Sequence, residues 1–233
     1  MSKPVCVVVG VGPGNGAAFA RRFDKAGYAV ALLSRSTTLS ETIADKLSQA
    51  KAYACDVTDQ AAIESTFAAI KSDLGPVEVL LYNAGSGVFG TVEQIDYDGF
   101  EQAWRINALG GLISARQVMD DMKVAGKGAI VFTGATASLR GGSSFCAFAS
   151  AKAAQRNLAQ SMARHLGPSG IHVALVIVDG MIDLERTRQM MPDAADDRFL
   201  KPDAIAETIY QLCQQDPSAW THELDVRPFT EKW

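Results

Sequence analysis

The chain has 233 residues, 48% of them hydrophobic and 21% charged, with a formal net charge of -4. That balance suits a globular domain with a sizeable core, and no block of Lys and Arg is dense enough to follow a nucleic-acid backbone. Apolar runs of this length cannot span a bilayer, and residues 1–10 lack the basic start and cleavage site of a secretory signal, so a cytoplasmic location is expected.

Residues 5–9, VCVVV, are continuously apolar, as in a strand buried on both faces. They run into Gly10-Val11-Gly12-Pro13-Gly14-Asn15-Gly16, which opens a helical pattern over 15–26 closed by Gly27. A strand at 29–33 ends in Ser34-Arg35-Ser36, and a helix is expected over 39–49. Next come a strand at 51–54, a helix over 60–72 with Asp59 as its N-cap, and a strand at 77–81. A long helix over 100–124, a strand at 129–133, a helix over 147–166 and a strand at 173–178 follow. The polar stretch 184–202, which carries Met190, Met191 and Phe199, reads as a mobile, partly apolar lid. A helix over 204–214 and a strand at 223–226 complete the pattern, and the aromatic segment 220–233 is expected to pack against the domain edge or a neighbour.

The regular alternation predicts right-handed crossovers onto one sheet. The expected fold is a single doubly wound α/β domain over 1–233, its seven-stranded, mostly parallel sheet covered by helices on both faces. Cys6, Cys55, Cys146 and Cys213 stand far apart and read as free buried thiols; His165, His172 and His222 have no metal-ligand spacing, so no metal is expected. The glycine-rich turn lies between the first strand and the first helix. Glycines there let the backbone approach a pyrophosphate, whose charge the helix N-terminus favours.

From this turn onward the sequence resembles the short-chain dehydrogenase/reductase family, whose fold is Rossmann-type. Gly10, Gly14 and Gly16 fall on the glycines of its TGxxxGxG turn, with Val9 in place of the Thr and Gly12 and Asn15 between them. Asp56-Val57 matches the family's adenine-contacting pair, and Asn83-Ala84-Gly85 its NAG motif beside the adenine ribose. Asn107 stands where the family keeps a helix-bending, water-holding Asn. Phe148 to Lys152 covers the YxxxK motif, whose Lys keeps the Tyr phenol acidic and binds the nicotinamide ribose. Lys152 is thereby implied in cofactor binding as well as catalysis, and Asp179-Gly180 covers the usual Pro-Gly at the nicotinamide end. The resemblance implies a nicotinamide cofactor, a small-molecule carbonyl or alcohol substrate, and assembly as a homodimer or homotetramer through the helices at 100–124 and 147–166. No acidic side chain follows the second strand, and Arg35, aided by Ser34 and Ser36, suits a 2′-phosphate, so NADP(H) is favoured over NAD(H).

The departure from the family lies in the proton-transferring half. Phe148 stands where the family has its acidic Tyr, Phe145 at an alternative Tyr position, and Ala135 at the partner Ser. General acid–base catalysis is worth about 10²–10⁴ in rate, so the loss is severe if the standard chemistry is intended. Replacement donors are open among Thr133, Thr136, Ser138, Ser143, Ser144, Cys146 and Asp179, or Lys152 acting through a water held by Asn107. Two other readings stay open: a substrate whose oxyanion needs only electrostatic stabilisation, and a non-catalytic nucleotide-binding relative serving as sensor or partner subunit. Thr187 is the stand-in for the family's carboxamide-binding Thr, which Leu184 replaces.

Overall fold

The computed structural model describes residues 3–231. Strand β1 (Val5–Val9) leads through the glycine turn into α1 (Asn15–Lys25), and β2 (Ala29–Ser34), α2 (Thr38–Ala44), β3 (Ala50–Ala54), α3 (Gln60–Asp73) and β4 (Val77–Tyr82) follow. Helices α4 (Tyr97–Trp104) and α5 (Gly110–Ala125) flank a π-helical turn, Arg105–Leu109. Beyond them lie β5 (Gly128–Ala135), α6 (Cys146–Leu166), β6 (Ile171–Val178), β7 (Met181–Ile182), α7 (Glu185–Met190), β8 (Phe199–Leu200), α8 (Pro202–Cys213) and β9 (Glu223–Val226).

Seven strands form one sheet in the order β3-β2-β1-β4-β5-β6-β9, and every pairing in it is parallel. Alternation along each strand divides the core between the faces. Val5, Val7 and Val9 pack with Ile63, Phe67, Val118 and Met122 of α3 and α5, while Cys6 and Val8 pack with Phe19, Phe23, Ile205 and Ile209 of α1 and α8. Burying each such side chain is worth about 1.5–3 kcal/mol, which is why a wholly apolar pentapeptide becomes the central strand. The chain crosses from β3 back to β4 beside β1, so the order reverses between β1 and β4. Ligands of open parallel sheets bind at the carboxyl ends of strands at such a point, and here those ends are Gly10 and Asn83.

Asp59 caps α3 by accepting from the Ala62 N–H, and α5 ends at Gly126 with φ +64. Three sequence expectations are corrected. The helix expected over 39–49 stops at Ala44. The long helix expected over 100–124 starts earlier, at Tyr97, and is broken by the π turn at Asn107, where Gly110 N–H reaches back to Arg105 O. The stretch 184–202 contains α7 and β8, and β8 pairs with β7. Arg188 clamps this lid through both Asp183 oxygens (2.7 and 2.9 Å) and Asp196 (2.5 Å), with its guanidinium 4.2 Å from the Phe199 ring centre. The C-terminal segment packs on its own lid: Arg198 donates to Thr230 O (2.5 Å), and Thr230 Oγ1 to Asp197 O (2.8 Å). Trp233 lies outside the described residues. Cys6, Cys55, Cys146 and Cys213 are free thiols, the first two buried and the others partly exposed. No helix among the described residues is long and apolar enough to cross a membrane.

Candidate active site

The carboxyl ends of β1 and β4 build a cradle. Gly10 has φ +89, and its N–H donates to Leu33 O (2.9 Å). A Cβ there would lie 2.5 Å from Ala84 N and Cα, and one on Gly16 would lie 2.7 Å from Val11 Cα. Both glycines are therefore required by close backbone approach. Asn83 Nδ2 donates to Gly10 O (2.8 Å), tying the NAG segment to the turn. Among the described residues, nothing lies within 4 Å of where a Gly12 Cβ would stand, so that side of the turn is open. Helix α1 has no side-chain cap, and Asn15 Oδ1 is buried with no partner among the described residues. An uncapped helix N-terminus facing an open glycine turn fits a diphosphate. Leu184 from the lid covers the turn's other edge, its Cδ2 2.5 Å from where a Gly14 Cβ would stand.

Arg35 is exposed just past β2. Asp56 accepts from the Thr58 N–H (2.9 Å) and hydroxyl (2.8 Å); these bonds, with Arg35 nearby, hold its carboxyl below the usual range. Val57 O lies 2.6 Å from where a Gly110 Cβ would stand, so Val57 packs against the start of α5. Ser34 is not available to a phosphate as expected, since its hydroxyl donates to Ser36 O (2.8 Å) and contacts Ser40 Oγ (2.9 Å). Arg35 and Ser36 are exposed at that edge.

Deeper in the cleft, Lys152 is 5% exposed, and burial lowers its pKa to about 7. Its Nζ donates to Thr133 O (2.7 Å) and Gln155 Oε1 (3.1 Å). Gln155 Nε2 in turn donates to Asn107 O (2.9 Å). The Asn107 backbone carbonyl thus accepts from a side chain of α6. Asn107 Nδ2 donates to Ala103 O (2.8 Å), while its Oδ1 is buried with no partner among the described residues. A Cβ on Gly85 would lie 3.4 Å from that Oδ1 and 3.7 Å from Lys152 Nζ, so both polar atoms border the same small gap.

Phe148 stands one helical turn before Lys152 on α6 and packs with Phe89 and Phe145. Ring centres are 5.3 Å apart for Phe89–Phe148 and Phe89–Phe145, and 6.3 Å for Phe145–Phe148. Gly90 N donates to Ser144 O (2.7 Å), joining the loops that carry Phe89 and Phe145. These two rings are 59% and 41% exposed, so the place of the phenol is an apolar aromatic surface open to solvent.

Two expected proton donors are occupied elsewhere. Thr136 Oγ1 donates to Asp179 Oδ1 (2.5 Å), and Asp179 Oδ2 pairs with Arg227 (3.3 Å), which also pairs with Asp225. Thr136 and Asp179 are thus engaged with each other, and Asp179 with Arg227. Ser138 is buried and accepts from the Ala135 N–H (3.2 Å). Gly180 has φ +144, and a Cβ there would meet Pro228 at 2.9 Å, so it serves close packing with the C-terminal segment. Thr187 cannot stand in for the carboxamide-binding Thr: it is buried, donates to Ile182 O (2.5 Å) and accepts from the Leu184 N–H (3.0 Å). Sequence reasoning missed Gln155, Phe89 and Arg227. Gln155 alone left a signal, as a Gln three residues after Lys152 among the alanines of α6.

Residues 4–194 match the family model described as short chain dehydrogenase. The inactive 2-(S)-hydroxypropyl-CoM dehydrogenase 2 of Xanthobacter autotrophicus is 31% identical over 202 residues, which cover 81% of this chain and 88% of that protein. The structure of a short-chain dehydrogenase from Rhodopseudomonas palustris is similar with a TM-score of 0.84 and 33% identity, covering 97% of this chain and 99% of that one. The structure of an alcohol dehydrogenase from the archaeon Thermococcus sibiricus, complexed with 5-hydroxy-NADP, has a TM-score of 0.89 and 25% identity over 99% of both chains. With the doubly wound sheet, the glycine cradle and the Asn107–Lys152 pair in place, this chain belongs to the short-chain dehydrogenase family.

Proposed function

We propose that the protein is an oxidoreductase that interconverts a carbonyl and an alcohol on a small molecule with NADP(H) in preference to NAD(H), by a proton relay without tyrosine. The observation that carries this reading is Lys152, buried beside Asn107 Oδ1, which has no partner among the described residues, with the lysine pKa lowered to about 7. A group that titrates near neutrality matches the demand on a general acid. Gly10, Gly12, Gly14, Asn15, Gly16, Asp56, Val57, Asn83, Ala84 and Gly85 hold the dinucleotide, and Arg35 favours the 2′-phosphate. Bound nicotinamide supplies the hydride. Lys152 gives its proton to the oxygen formed from the carbonyl, leaving a neutral amine, and the reverse reaction returns it. Phe89, Phe145 and Phe148 face the apolar part of the substrate.

The protein works in the cytoplasm as a homodimer or homotetramer in this reading. Tyr97, Phe100 and Trp104 support the assembly, since they repeat at helical spacing on α4 and stay exposed in the single chain. A Trp104→Glu variant that elutes as a monomer, against an oligomeric wild type, is the expected check.

A second reading, a non-catalytic nucleotide binder, draws on the three phenylalanines at the proton-transfer position. Fluorescence titration with NADPH and NADH separates the first cases: micromolar NADPH with weaker NADH is expected, and binding of neither by folded protein overturns both readings. Carbonyl turnover by wild type, lost in Lys152→Met even at saturating NADPH, favours the enzyme. Binding without turnover favours the binder; a large gain in Phe148→Tyr then marks a scaffold lacking only its acid, and no gain a site without this chemistry.

A further inference from the structure

We propose that Gln155 is the positioning residue of this site, a carboxamide strut that fixes Lys152 to the backbone of the π turn and directs its proton exchange toward the Gly85 side. The inference builds on the oxidoreductase reading for its catalytic meaning, while the geometry belongs to the chain itself. Gln155 is wholly buried, and it joins the Lys152 ammonium (3.1 Å) to the Asn107 carbonyl (2.9 Å).

The orientation of the amide is determined by its neighbours. A backbone carbonyl only accepts and the protonated lysine only donates, so a flipped carboxamide would set oxygen against oxygen at Asn107 and, in the charged form, NH₂ against NH₃⁺. One arrangement satisfies both ends. The π turn provides the anchor: the wider winding at Arg105–Leu109 sets Asn107 O within reach of a side chain from α6.

Two consequences follow from the choice of Gln. First, the strut stabilises the ammonium by a dipole without contributing a charge. A carboxylate in that place would hold Lys152 protonated through the whole neutral range, and an apolar side chain would remove one of its two acceptors. Neutral Gln leaves the lysine able to titrate. Second, an amide does not exchange protons by ionising near neutral pH, so the path from Lys152 toward Asn107 O is blocked for proton transfer. Thr133 O occupies a second direction. The remaining side is the gap bordered by Gly85 and Asn107 Oδ1, where the proton is delivered and recovered.

The test is direct titration of Lys152 by NMR of ¹³C-labelled lysine in the cofactor-free protein, assigned by loss of the signal in Lys152→Met. Gln155→Glu is expected to raise the midpoint by more than about one unit, and Gln155→Met to lower it. Opposite shifts from two substitutions of similar volume are not produced by a merely structural residue. Midpoints in both variants equal to wild type would overturn the proposal, as would shifts of the same sign. If Gln155→Glu fails to fold, Gln155→Met alone decides by the direction of its shift. NADPH titration of the same proteins distinguishes the two claims, because absence of nucleotide binding by wild type sinks the oxidoreductase reading while the lysine midpoints still judge the strut.

Discussion

Asn83 donates its side-chain amide to the carbonyl of Gly10 across 2.8 Å, so the strand on one side of the sheet's reversal point fixes the turn on the other. The bond ties down Gly10, which has φ +89 and no room for a Cβ beside the Ala84 backbone. Asn83→Ala removes one half-buried hydrogen bond and is expected to cost about 1 kcal/mol. Gly10→Ala meets backbone at 2.5 Å in a region that L residues rarely adopt, and is expected to cost about 3 kcal/mol or more. Denaturant unfolding should rank them in that order, with NADPH affinity falling in both.

Arg35 supplies a positive charge where β2 ends, and Ser34 is turned inward by Ser36 O and Ser40. Arg35→Ala is expected to weaken NADPH binding about tenfold and to leave NADH nearly unchanged, because an exposed charge is partly screened. Ser34→Ala is expected to change neither affinity by as much as twofold. Paired titrations check both, and an equal loss for the two nucleotides in Arg35→Ala would show that Arg35 does not read the phosphate.

Arg188 joins Asp183, Asp196 and the Phe199 ring, and so closes the lid on itself. Its removal acts locally, since none of these partners belongs to the sheet core. Arg188→Ala is expected to speed hydrogen exchange and proteolysis across residues 183–200 while the main unfolding transition moves little. A fall in global stability equal to that of a core substitution would contradict the local role.

The elements most legible in the sequence were those fixed by local chemistry. The run VCVVV, too short for a helix and followed at once by glycines, suits a strand buried on both faces, and Gly10 and Gly16 are dictated by backbone contact that their spacing already implies. The lid was not legible, because α7 and β8 rest on Arg188, whose partners are five and eight residues away and whose ring contact is eleven away. Nor was the fate of Thr136 and Asp179: they are 43 residues apart in sequence and meet only when β5 and β6 pair. Gln155 shows the same limit. A buried Gln is visible only as a polar residue on an alanine-rich helix, and its role depends on a π turn 48 residues earlier.

Lys152 makes both activity and stability depend on pH, in opposite directions. Its ordinary pKa of 10.5 falls to about 7 in the folded protein because burial disfavours the charged form. If the protonated amine is the acid for carbonyl reduction, turnover should be level below about pH 7 and fall up to tenfold per unit above it. For stability, the unfolded chain binds the extra proton between about 7 and 10.5, so the penalty for burying this lysine is greatest below pH 7 and fades as pH rises through that window. Lys152→Met carries no such term, and its stability relative to wild type should therefore decline steadily from pH 7 to pH 10. Urea unfolding of the two proteins across that range measures the difference, and a constant offset would mean that Lys152 keeps an ordinary affinity for its proton.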